Sequence, residues 1–141
     1  MTWLGWALLS AFFAGITAIL AKVGVENVDS SLATAIRTTV ILVIVWAIAF
    51  AATPSGSFAI PGRKTLLFLA LSGAATGLSW LCYFRALQLG EVSRVAPIDK
   101  LSVVFAIALA VIFLRERLTM QNAIGGALIV AGSLVIAWRS A

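Results

Sequence analysis

The sequence predicts an all-α membrane protein with five transmembrane helices. Three observations lead there. Hydrophobic residues make up 62% and charged residues 11% of the 141-residue chain, whereas a soluble domain has about 45–50% and about 25%. A chain this short cannot hide so much apolar surface from water. The apolar residues also fall into five continuous runs, each close to the ~20 helical residues that cross a hydrocarbon core of ~30 Å. Continuous runs exclude barrel strands, which alternate, and lipid offers no partner to other backbone arrangements.

The first run, 3–22, begins at "MTW" with no basic stretch ahead of it, and it is longer than the core of a signal peptide. It therefore reads as a span, ending at Lys22. The second run, 32–52, carries Arg37 about two turns inside its start. The connection "ATPSGSFAIPGRKT", with Pro54, Pro61 and two glycines, is rich in turn formers. The third run, 65–87, brings Trp80, Tyr83 and Arg85 to its end, and the fourth, 95–114, opens at Pro97, Asp99 and Lys100. Proline tolerates the first turn of a helix, because that amide has no partner anyway. Neighbours on a helix point ~100° apart, so Asp99 and Lys100 are not expected to neutralise one another along the surface. The fifth run is 120–138. Trp3, Trp6 and Trp138 lie at span ends, where indoles favour the interface. No linker or internal repeat separates the runs, so residues 1–141 read as one domain.

Helices associate in lipid through small residues that let backbones approach. Ala11, Gly15 and Ala18 form such a stripe on the first span, as do Gly73 and Gly77 on the third, Ser102, Ala106 and Ala110 on the fourth, and Gly125 and Gly132 on the fifth. These are the expected helix-packing positions.

Five spans place the two ends of the chain on opposite sides. One side receives Arg63, Lys64, Arg115 and Arg117; the other receives Lys22, Arg85, Arg94 and Arg139. Four against four leaves the orienting bias of loop cations silent, which permits insertion both ways up. Lys22, Arg37, Arg85 and Lys100 all belong to one half of the bilayer, with Trp80 and Tyr83 beside them. An ionisable side chain within a span costs roughly 2.5–3.5 kcal/mol at mid-bilayer and marks a functional site or a snorkelling end. These six residues are the candidate solute-binding set, and Asp99 is either a coupling group or a structural ion pair. Glu116 falls in a connection and reads as a turn or capping residue.

Other functions find no support. The net charge of +5 is dispersed, so no basic face for nucleic acid forms. Histidine is absent, and the acids form no catalytic pair or metal-ligand cluster. Cys82, the single cysteine, sits in an apolar helix where thiols are inert packing. The sequence calls for no cofactor and no metal, and does not read as an enzyme.

The stretch "YFRALQLGEVSRVAPIDKLSVVFAIALAVIFLRERLTMQNAIGGALIVAGSLVIAW" resembles the second half of an EamA-type repeat of the drug/metabolite transporter superfamily. "RAL" closes the third span, "SRVAPID" opens the fourth, "ERLT" joins the fourth and fifth, and "GALIVAG" lies in the fifth. Lys22 closing the first span and "AIRT" opening the second extend the likeness over nearly the whole chain. Such proteins carry two five-helix repeats of opposite orientation, and this sequence holds one. The residue before Glu116, often glycine in that family, is Arg115 here. The resemblance implies one half of an inverted-repeat transporter, with its site near the midplane between two halves. The expected partner is a second copy inserted upside down as an antiparallel homodimer, or a sister half-transporter. The expected activity is secondary transport of a small metabolite or drug-like solute, and the surplus of cations favours an anionic one. A non-transporting assembly subunit, or a flippase subunit for a phosphate-linked lipid, is the alternative. The expected location is the plasma (inner) membrane of a prokaryote.

Overall fold

The structure is a computed structural model that describes residues 2–53 and 61–138. Pro54 of the second connection and Arg139 of the C-terminal end lie outside the described residues. Within them every regular element is a helix. In order these are α1 (Trp3–Gly24), α2 (Ser30–Ala52), α3 (Arg63–Leu89), α4 (Val92–Asp99), α5 (Ser102–Phe113) and α6 (Met120–Ala137). Five helical stretches are long and apolar enough to cross a membrane, with α4 and α5 together forming the fourth, Val92–Phe113.

Local chemistry sets the ends. The Asp29 carboxylate accepts from the amides of Ser31 and Leu32 at 2.9 and 3.2 Å and starts α2, satisfying donors that a helix start leaves open. Those two amides, Leu32 foremost, hold the Asp29 carboxyl below the usual carboxylate range, with Arg85 adding to the effect. Thr119 accepts from the Asn122 amide at 3.2 Å and starts α6. Inside the spans, hydroxyls turn back on their own helix: Thr34 donates to Ser30, Thr38 to Thr34 and Thr76 to Ser72. Each of these three protons thereby has an acceptor within its own helix.

The expected fourth span, 95–114, is not one continuous helix. The amides of Lys100 and Leu101 bond to the carbonyls of Pro97 and Ile98, three residues back rather than four, at 3.1 and 3.0 Å. Pro97 within α4 has no amide to give. Its carbonyl also receives the hydroxyl of Ser133 from α6 at 2.9 Å. With that oxygen shared, the chain tightens into a 3₁₀ turn between α4 and α5.

By contact the chain divides into two units, Ala21–Gln88 and Met1–Leu20 with Leu89–Ala141. In the second unit, α6 packs along both α4 and α5. Ser133 is buried on that face, and Gly126 of α6 faces Ile107 of α5, where an added methyl would meet the Ile107 Cδ1 at 4.0 Å. At Gly15, Gly73, Gly77, Gly125 and Gly132 an added methyl would meet no described atom within 4 Å. Within α1–α6, then, these five positions have room beside them.

Candidate cation-aromatic site and its clamp

In residues 21–88, polar side chains tie the end of α3 to the end of α1 and the turn after it. The Lys22 ammonium donates to the Leu87 carbonyl at 2.6 Å. Leu87 lies in the last turn of α3, whose carbonyls have no intrahelical donor and carry the negative end of the helix dipole. Lys22 is therefore a cap on α3. Gln88, one residue on, donates to the carbonyls of Val25 and Val28 at 3.2 and 2.7 Å. The Arg85 guanidinium donates to the Gln88 side-chain oxygen at 3.1 Å and orients the amide. Leu87, Val25 and Phe84 are almost fully buried around these bonds.

The clamp sets the level at which α2 meets α3. Arg37 stands eight residues past the Asp29 cap, and Trp80 stands eight before Gln88. At ~1.5 Å per residue both are about 12 Å from the clamped end. There the Arg37 guanidinium lies over the Trp80 ring, 3.9 Å from its centroid, and 5.5 Å from that of Phe84. Trp80 and Phe84 are four apart on α3, so their rings share one helix face. Tyr83 follows on the same helix, half-buried. Among the described residues Arg37 makes no ion pair and donates no hydrogen bond.

Asp99 and Lys100 belong to the other unit. They pair with each other at 3.6 Å, which corrects the expectation that they cannot neutralise one another. That expectation assumed an unbroken helix. Lys100 instead stands just past the end of α4, in the 3₁₀ turn, and its long stem reaches back to the acid. Both side chains keep substantial exposure, as do those of Glu91 and Arg94, paired at 3.4 Å.

Among the described residues, two hollows lie along the α5–α6 face. One of about 450 Å³ runs between Val104, Ile107, Val111, Gly126 and Val130. The other, about 320 Å³, is bordered by Glu116, Arg117 and Asn122. Both are walled mainly by aliphatic side chains, and none of the expected solute-binding residues lines either. Arg115 in the adjoining turn has φ 56°, a left-handed conformation that favours glycine. That explains why glycine suits the position, and arginine there holds a strained backbone. Among the described residues no group of three or more His, Cys, Asp or Glu could hold a metal ion.

Two polar residues that organise these regions, Gln88 and Ser133, did not stand out in the sequence. Neither is charged, and each acts on a main-chain carbonyl far along the chain.

Comparison with known proteins agrees with a membrane carrier. A protein of a Sinorhizobium species named as an uncharacterized transporter in the cobO 3' region is 55% identical over 140 residues, covering 96% of each chain. An uncharacterized protein of Methanocaldococcus jannaschii is 30% identical over 77 residues, 55% of this chain and 56% of that one. No solved structure matches. The model of the EamA-like transporter family matches residues 1–138, and with the five apolar helices this places the chain in the EamA-like transporter family as an integral membrane transporter protein.

Proposed function

We propose that this chain is one half of a secondary transporter that moves a small anionic solute by alternating access. Two copies of opposite orientation form the working unit, each supplying one repeat of an inverted pair. The observation that carries the reading is Arg37. It is a permanent cation inside a membrane-spanning helix, stacked on Trp80 with no carboxylate against it among the described residues. Membrane proteins keep such charges where a hydrated path or a ligand meets them. Arg37, Trp80 and Tyr83 are the solute-side residues of one unit, with Lys22 and Arg85 bracing the end of α3 beside them, and Lys100 is that of the other, with Asp99 as its ion-pair partner. The room beside Gly15, Gly73, Gly77, Gly125 and Gly132 supports their use in close packing against the second copy. The bacterial relative fits a prokaryotic plasma membrane.

Reconstitution tests the reading. Vesicles holding the protein should accumulate members of a panel of labelled organic anions, and Arg37→Gln should lower that flux about tenfold or more while the protein remains folded. Uptake no greater than in protein-free vesicles, across anions and cations alike, would leave only an assembly subunit. A reporter fused to the C-terminus should appear on both sides of the membrane, and one fixed sidedness rules out the antiparallel pair.

A further inference from the structure

Residues 21–88 hold five cations: Lys22, Arg37, Arg63, Lys64 and Arg85. Arg63 and Lys64 start α3, at the end away from the clamp. The Lys22 ammonium is engaged by the Leu87 carbonyl and the Arg85 guanidinium by Gln88. The acids of the unit are Glu26 and Asp29, both at the α1–α2 turn, and Asp29 is committed to the amides that open α2. Arg37 is left with its face on the indole and, among the described residues, with no hydrogen bond or ion pair at its edges.

That posture defines a ligand. Stacking on an aromatic ring engages the flat face of a guanidinium through the ring quadrupole and leaves its five in-plane N–H donors free. Two of those donors match the spacing of two oxygens on a carboxylate or phosphate. A halide gains charge attraction but no fork geometry, and an organic cation is repelled. Low dielectric within the span strengthens the preference. The pairing of Trp80 with Phe84 on one face, and the clamp at Gln88, hold the guanidinium in place before a ligand arrives.

We infer that Arg37, laid flat on Trp80, is an oxyanion receptor: it takes a carboxylate or phosphate edge-on, while Lys22 and Arg85 serve the scaffold rather than the ligand. This sharpens the transport reading above and rests on it for its physiological meaning.

A variant with Trp80 as the sole indole (Trp3, Trp6, Trp46 and Trp138 each →Phe) reports on the site directly. In lipid-free maltoside, acetate or inorganic phosphate should shift its emission saturably, and chloride and tetraethylammonium should not. In nanodiscs, phosphatidylglycerol against phosphatidylcholine asks whether a lipid headgroup supplies the oxyanion. A response in either arm upholds the receptor, and the responding arm names the source. Arg37→Gln should abolish the response, and Arg37→Lys, which keeps the charge but loses the fork, should weaken it about tenfold. Arg94→Gln, an exposed-charge control, should leave it unchanged. Thermal shift of the protein with all its tryptophans by the same probes is a second readout, should the single-tryptophan variant not fold. Saturation by tetraethylammonium, an undiminished response in Arg37→Gln, or no saturable response to any oxyanion in either assay would overturn the inference. Flux measured on the same preparations separates the two claims. Solute flux without oxyanion binding sinks the receptor alone, and oxyanion binding without flux sinks the transport reading alone.

Discussion

In residues 21–88, cationic and amide side chains serve main-chain carbonyls and an indole face more than forty positions away in sequence: Lys22 with Leu87, Gln88 with Val25 and Val28, Arg37 with Trp80. In residues 89–138, two of the four cations serve an acid within one turn, Lys100 with Asp99 and Arg94 with Glu91, and a neutral hydroxyl, Ser133, makes a long-range bond. The charges are alike in type, but their work differs. Long-range bonds to buried carbonyls fix how helices register. Exposed local pairs mostly neutralise one another, and they are worth little.

The largest effect should come from Gln88→Leu, which strands two carbonyls at ~1–3 kcal/mol each. A loss of about 3 kcal/mol in detergent unfolding is expected. A loss near zero would break the comparison at its strongest point. Ser133→Ala should follow at about 1 kcal/mol, one neutral hydrogen bond, and it should also loosen hydrogen exchange around Lys100 and Leu101. Lys100→Met should cost under about 1 kcal/mol, because its pair with Asp99 is exposed. A cost as large as that of Gln88→Leu would erase the contrast between long-range and local bonding. The finest test is pH. Asp29 has a lowered folded pKa, so its stabilisation is complete above the unfolded value of ~3.9. It is lost as pH falls through the lower folded value. The advantage of the wild type over Asp29→Asn should therefore shrink below about pH 4 and hold steady above it.

Much of the fold was legible because lipid imposes one rule everywhere. A run of twenty apolar residues has a single backbone solution, so the five spans could be found from hydropathy to within about a turn. The break in the fourth could not. Pro97 announced a helix start, but the tightening at Lys100 accompanies a bond to the Pro97 carbonyl from Ser133, thirty-six positions beyond that proline. The candidate site was half visible. Arg37 and Trp80 each stood out as costly or bulky groups in one half of the bilayer. Their stacking requires the register set by Gln88, a neutral residue that composition and charge pass over. Gly126 tells the same lesson: it faces Ile107, while at the more regularly spaced glycines an added methyl would meet no described atom within 4 Å.

The 3₁₀ turn has a mechanical corollary. A residue in such a turn advances about 120° where an α-helical one advances about 100°. Across Lys100 and Leu101 the backbone gains about 40° of azimuth, so α5 is screwed around its own axis relative to an unbroken helix. Relaxing those two residues to α-helical geometry would unscrew it without bending the rod. Ile107 would swing off its seat against Gly126, turning a change in the two amide bonds to Pro97 and Ile98 into a rotation felt a full turn and more downstream.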